Sequence, residues 1–222
     1  MKIISFSLWG SDPKYTVGAI KNAELAKEIY PNWICRFYCA NDVPNPITFQ
    51  LEDMDNVEVV MVDEVGSWKF TTQRFLAIDD PEVKIIIFRD TDSRLNSREQ
   101  EAVTKWLQSN KSLHIMKDHP YHGGFPILAG MWGLKLSGFK ESMRSLLEKY
   151  NNVEQYHYDQ IFLKNWLWPL YAQDFIAHDE FFLKKPFPTK REGLDYVGKP
   201  FDADDSICLP GADEVLRRAG IR

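Results

Sequence analysis

Two aspartates one residue apart, Asp90 and Asp92, follow the apolar run of IIIFRDTDSRL at 85–95. Residues i and i+2 of an extended segment point the same way. The spacing therefore puts two hard oxygen ligands on one side of the chain, with Thr91 between them. Mg²⁺ and Mn²⁺ are held by such carboxylates together with water and substrate phosphate oxygens. A cation there would stabilise the charge on a departing diphosphate.

Two other readings fit the same letters. In one, the segment is a turn whose acids are neutralised by Arg89 and Arg94. In the other, the aspartates are the nucleophile and general acid of a haloacid-dehalogenase-like phosphotransferase. Those enzymes continue with Thr or Val where this chain has Arg94, and they carry the motif near the start of the domain. Lys184 or Lys185 and the acids of DADD at 202–205 imitate their later motifs only weakly.

Further along, His119 and His122 form H-x-x-H. That spacing binds metal on a helix, but Pro120, Gly123 and Gly124 oppose a helix. The pair reads as ligand hydrogen-bonding groups or as a structural turn. In LAGMWG, Gly130 lets backbone approach a ligand closely, and Trp132 offers an apolar face to a ligand ring or packs in the core.

These residues need a scaffold. The chain has 222 residues, 44% of them hydrophobic, which suits one domain with a substantial core. KIISFSL (2–8), WICRFYCA (33–40), VEVVMV (57–62), VKIIIF (83–88) and LHIM (113–116) read as strands. Val17, Ile20, Ala23, Ala26 and Tyr30 mark a helix, and others are expected at 71–78, 96–107, 141–150 and 158–170, the last stopped at Pro169. Residues 41–46 read as a loop, and Ser97 with Gln100 as a capping box. The stretch 117–134 and the tail from Lys184 read as irregular, the tail wrapping over the site. Alternating strands and helices predict an α/β fold with a mainly parallel sheet, which collects ligands at the carboxyl ends of its strands. Asp90 and Asp92 lie at such an end.

A net charge of −5 argues against nucleic-acid partners. Three cysteines without a CxxC pattern argue against a disulfide framework or structural zinc. The N-terminus does not read as a signal peptide and no stretch is long and apolar enough for a membrane helix, so a cytoplasmic protein is expected.

SLWGSDPKYTVGAIKNAELAKEIYPNW, RFLAIDDPEVKIIIFRDTDSRL, HIMKDHPYHGGFPILAGMWG, YDQIFL and HDEFF with PFPTKREG and YVG occur in this order over 1–200. Together they resemble the GT-A type of nucleotide-sugar glycosyltransferase, and are similar to the first domain of a glycosyltransferase of large algal viruses and to related bacterial sequences. The resemblance implies a nucleotide-binding half at 1–95 and an acceptor-binding half at 96–222. Phe6, Ser7, Leu8, Trp9 and Gly10 would line the base and ribose, Arg74 would face the donor, and Asp90, Thr91 and Asp92 would form the D-x-D that carries Mn²⁺ or Mg²⁺. His178 is the candidate third metal ligand or a core histidine. Lys190 and Arg191 would help the diphosphate leave or form a solvated charge run. Asp159, beside Gln160 in YDQ, would serve as a base or hold sugar hydroxyls. The implied activity is metal-dependent transfer of a sugar from a nucleoside diphosphate, UDP favoured, to a carbohydrate or other hydroxyl, with retention favoured. A non-catalytic nucleotide-sugar or glycan-binding domain stands beside it.

Overall fold

Seven strands form one sheet in the computed structural model, which describes residues 1–150 and 154–221. They are β1 (Lys2–Leu8), β2 (Ile34–Ala40), β3 (Val57–Val62), β4 (Ile85–Arg89), β5 (Leu113–Lys117), β6 (Met131–Lys135) and β7 (Phe175–Asp179), in the order β3-β2-β1-β4-β6-β5-β7. β6 alone runs antiparallel to its neighbours β4 and β5; the other pairings are parallel. Among the described residues no helix is long and apolar enough to cross a membrane.

Period-two alternation in β1 sets two layers. Ile4, Phe6 and Leu8 join the core packed under helix α1 (Pro13–Ile29), and Ile3 joins the core on the opposite side. The serines between them point to that opposite face, where they hold the 3₁₀ segment Lys69–Asp79 against the sheet. Ser5 Oγ donates to the Arg74 carbonyl at 2.8 Å, Ser7 Oγ donates to the Thr71 carbonyl at 3.1 Å, and the Arg74 N–H donates back to Ser7 Oγ at 3.0 Å. Small hydroxyls in an otherwise apolar strand thus fix the segment that carries Arg74.

Several expectations are corrected here. Helix α2 (Asn45–Glu52) begins inside the stretch read as a loop; Pro44 and Pro46 suit a first turn, whose N–H groups have no helical acceptor. Helix α3 (Ser97–Gln108) is capped by Asn96, which accepts from the Glu99 N–H at 3.0 Å, and not by a Ser97–Gln100 box. Strand β6 lies within the segment read as irregular, and β7 was not recognised. Helix α4 (Met143–Lys149) falls where expected. Helix α5 (Tyr158–Phe162) continues through a wide π turn, Leu163–Leu167, into α6 (Trp168–Tyr171) instead of stopping at Pro169. The π turn lies directly before the proline, whose missing N–H and bulky ring disfavour regular α-helix there. The tail includes one further helix, α7 (Ala212–Arg218).

Candidate functional site

From β1 the chain steps outward to β2 and β3, then returns to lay β4 on the other flank of β1. Connections on either side of such a switch point part and leave a crevice at the carboxyl ends of the strands. A cavity of about 820 Å³ opens there. Of the residues singled out from sequence, Ser7, Trp9, Gly10, Arg74, Asp90, Thr91, Asp92, His122, Gly130, Asp159 and Gln160 line it.

Asp90 follows β4 directly, and its side chain is 50% exposed. The buried Arg74 guanidinium donates to Asp90 Oδ1 at 2.5 Å, to the Arg89 carbonyl at 2.8 Å and to Asp159 Oδ2 at 2.8 Å, so one cation ties two carboxylates to the sheet edge. Burial raises the Asp159 carboxyl above its usual range, with the Asp90 charge adding to the shift and Arg74 opposing it. Asp92 is paired with Lys14 Nζ at 2.8 Å. Burial and the neighbouring Asp90 charge raise the Asp92 carboxyl, while Lys14 holds it down in part.

The turn between the aspartates rests on α1. Asn22 Nδ2 donates to the carbonyls of Gly18, Thr91 and Ser93, and its Oδ1 accepts from the Leu95 N–H at 3.0 Å. A Cβ at Gly18 would lie 2.2 Å from the Thr91 carbonyl oxygen. Sequence reading missed Lys14, Gly18 and Asn22. The cue was available: a glycine and an asparagine interrupt the apolar stripe of a helix preceding a D-x-D.

Gly130 makes room for Asp90. A Cβ there would fall 1.9 Å from Asp90 Oδ2. Gly130→Ala is therefore expected to displace the Asp90 carboxylate, to weaken any binding of a divalent cation there at least tenfold, and to lower the melting temperature slightly through the loosened Arg74 pair. Metal titration beside thermal melting checks this.

The opposite wall is aromatic. Trp9 packs on Gly66, where a Cβ would lie 2.6 Å away, and meets Trp68 edge-on at 5.9 Å; Trp68 meets Tyr156 at 5.1 Å. Asp42 accepts from the Gly10 N–H at 3.0 Å and the Gly66 N–H at 3.1 Å, stapling the loops that follow β1 and β3.

The remaining candidates do not line the cavity. Phe6 and Leu8 point into the core by the alternation of β1, and Phe6 stacks on Phe37 at 4.6 Å. Trp132 is buried against Phe88, ring centroids 4.1 Å apart, so it is core and offers no face to a sugar. His119 is buried, its Nε2 3.0 Å from the Ala212 carbonyl oxygen and its Nδ1 accepting from the Tyr121 N–H. His122 does line the cavity, but its Nδ1 accepts from the Asp118 N–H at 3.0 Å, and burial pushes its imidazole down to about 3. Lys190 is exposed elsewhere. Arg191 is sequestered: it donates to Asp118 Oδ1 at 2.5 Å and to Glu180 at 3.2 Å, while Arg98 grips the same two acids. This quartet, with Asp118 fully buried and Glu180 partly open, pins the tail to the end of β5 and keeps Arg191 engaged away from the cavity lining.

His178 is also corrected. On β7 it faces His114 of β5, with Nδ1 2.8 Å from the His114 Nε2, and both side chains are buried. Burial pushes His178 down to about 4 and His114 well below its ordinary value. Below the ordinary value near 6.5, the unfolded chain takes up protons that the folded chain refuses, so stability falls as pH drops from about 6.5 toward 4. The expected loss from His178 is about 2 kcal/mol on going from pH 7 to pH 5, with His114 adding in the same direction. Urea midpoints across that range check it, and His178→Asn is expected to flatten the profile.

Comparison with solved structures gives the fold a context. A glycosyltransferase involved in glycosylation of the major capsid of PBCV-1 is similar over 82% of this chain and 83% of its own, at 20% identity and TM-score 0.53. The galactosyltransferase LgtC, solved with donor and acceptor sugar analogs, is similar over 81% and 74%, at 14% identity and TM-score 0.53. S. aureus TarS 1-349 is similar over 79% and 56%, at 13% identity and TM-score 0.51. No family model matches the chain, and neither does any curated protein sequence. The chain has the GT-A-like fold expected from its motifs: one mainly parallel sheet flanked by helices, shared with structures of glycosyltransferases.

Proposed function

We propose that this chain is a metal-dependent glycosyltransferase that takes a sugar from a nucleoside diphosphate, UDP favoured, and passes it to a carbohydrate or other hydroxyl acceptor. The observation that carries the reading is the placing of Asp90 and Asp92 together on the wall of a large cavity at the switch point of a GT-A-like sheet.

The residues suit a divalent cation. Their donors are hard oxygens, and Gly130 leaves the Asp90 carboxylate a space that any larger residue would fill. Among the described residues no group of three His, Cys, Asp or Glu could hold a metal. Two carboxylates nevertheless match Mg²⁺ or Mn²⁺, which completes its coordination with water and phosphate oxygens. Asp90 and Asp92 would hold the ion, and its chemistry would be to offset the charge of the departing diphosphate.

The remaining roles fall to the chain itself. Trp9, with Ser7 and Gly10, would bind the nucleoside; its ring packs on Gly66 and meets Trp68 edge-on. Asp159 and Gln160 would accept and donate hydrogen bonds to sugar hydroxyls. Both Asp159 oxygens are engaged, Oδ2 by the Arg74 guanidinium and Oδ1 by the Gln160 N–H, which holds the carboxylate in place and leaves it badly positioned to take up an acceptor's proton. That supports retention, in which the departing phosphate accepts the acceptor's proton.

The test is turnover. With Mn²⁺ and a panel of nucleoside diphosphate sugars, slow release of the nucleoside diphosphate is expected, abolished by a chelator. Release of free phosphate from simple phosphomonoesters would favour the phosphotransferase instead. Binding of a nucleotide sugar without turnover would leave a binding domain.

A further inference from the structure

A diphosphate entering this cavity meets more anions than cations. Asp12, Asp90, Asp92 and Asp159 line it, and among the described lining residues Arg74 is the one arginine or lysine. Its guanidinium is already committed to Asp90, Asp159 and a backbone carbonyl. Arg191, expected to meet the phosphates, is held by Asp118 and Glu180. One amine remains next to the paired aspartates: Lys14, in the first turn of α1, 2.8 Å from Asp92 and 24% exposed.

We propose that Lys14 is an exchangeable counter-ion: it occupies Asp92 while the site is empty, gives up that carboxylate to the divalent cation, and turns to the donor's diphosphate. The inference rests on the glycosyltransferase reading and concerns the order and coupling of binding at the same site.

The two cations differ in the way such an exchange requires. Arg74 is buried, forked and tied to three acceptors, so it is fixed. Lys14 is a compact charge on a flexible four-carbon stem. Its one ion pair among the described residues is with Asp92, and its ammonium lies 4.9 Å from the Tyr15 ring centroid at the cavity edge. A metal ion that takes Asp92 must displace this ammonium, which costs affinity as long as the amine has no other partner. A diphosphate supplies that partner, so metal and nucleotide each tighten the other's binding, reciprocally.

Mn²⁺ titrations followed by electron paramagnetic resonance, without and with saturating UDP and corrected for UDP–Mn²⁺ association in buffer, test this. The wild-type chain is expected to bind Mn²⁺ at least tenfold more tightly with UDP. Lys14→Met should tighten UDP-free Mn²⁺ binding about tenfold and shrink the UDP enhancement by a similar factor, and Lys14→Gln should do the same if the Met variant folds poorly. Lys14→Arg should stay within about threefold of wild type, and Asp92→Asn should weaken binding at least a hundredfold in both conditions. UDP-free affinity and UDP enhancement within twofold of wild type in the Met or Gln variant would overturn the role of Lys14 and leave the metal site standing. No Mn²⁺ bound by the wild type even with UDP would overturn the metal reading, and the inference with it.

Discussion

Asp92→Asn is expected to reduce metal-dependent release of nucleoside diphosphate by about 10²–10³-fold, the scale of loss when one preorganised stabiliser of a developing anion is removed, here the cation that Asp92 would help to hold. The substitution is close to isosteric and takes away one formal charge and part of the donor strength. It leaves the Lys14 ammonium opposite an amide, and because Lys14 is partly open to solvent the fold should tolerate this with a small change in melting temperature. Asp90→Asn should cost as much turnover and somewhat more stability, since it weakens an ion pair with the buried Arg74. Steady-state release of UDP with Mn²⁺, beside thermal melts, separates chemistry from folding. Turnover within a few fold of the parent in either variant would remove the paired aspartates from the mechanism.

The second large effect is on stability, one residue upstream. Arg89 and Glu99 are both only 2% exposed and meet at 3.0 Å, and Tyr30 donates to the same Glu99 oxygen at 2.9 Å. Arg89 also donates to the Phe88 carbonyl at 2.7 Å and to the Trp132 carbonyl at 3.2 Å. Glu99→Ala would strand a buried guanidinium and remove the acceptor of a buried phenol. Breaking a buried pair by deleting one partner costs about 3–5 kcal/mol, which in a domain of this size lowers the melting temperature by roughly 10 °C. Urea denaturation checks the figure. Replacing Arg89 and Glu99 together with apolar residues of similar volume should recover much of the loss, because the pair's own net contribution is small beside its desolvation. A Glu99→Ala loss below about 1 kcal/mol would show that water reaches the pair.

The same contrast explains what could be read from the chain alone. Local rules suffice for β1, α1, β2, β3 and β4: runs of Ile, Val and Phe, a 3.6-residue stripe, and breaks at Pro and Gly. They also carry Asp90 and Asp92 to a sheet edge. β6 escaped because MWGLK looks like part of a glycine-rich loop until its pairing with β4 is seen, where a Cβ at Gly133 would fall 2.9 Å from the Ile86 carbonyl oxygen. The errors among site residues have one cause. Side chains such as His119, Trp132, His178 and Arg191 have types that suit chemistry, and only tertiary contacts reveal that Ala212, Phe88, His114 and Asp118 already occupy them. Phe6 and Leu8 are the exception, since the alternation of KIISFSL was enough to turn them inward. Lys14 shows the reverse error: a lysine in a first helical turn looks solvated until its ion pair is seen.

The reversed direction of β6 also bears on how such a protein can diversify. Because β5 and β6 are antiparallel neighbours, the chain between them leaves and re-enters the sheet at the same edge, where Asp90 emerges. This excursion contributes Tyr121, His122, Gly123, Phe125, Leu128, Ala129 and Gly130 to the cavity. It is anchored by the Asp118 carboxylate at one end and the Gly130–Asp90 contact at the other. Between those anchors only part of the stretch is open to change: Ile127 is buried in the core, the Phe125 carbonyl accepts from Lys117 and His122 accepts from the Asp118 N–H, whereas Tyr121 is exposed at the cavity. If the proposed glycosyl transfer holds, changes at the exposed Tyr121 should therefore alter acceptor choice more than donor binding, while replacement of Ile127 should cost stability.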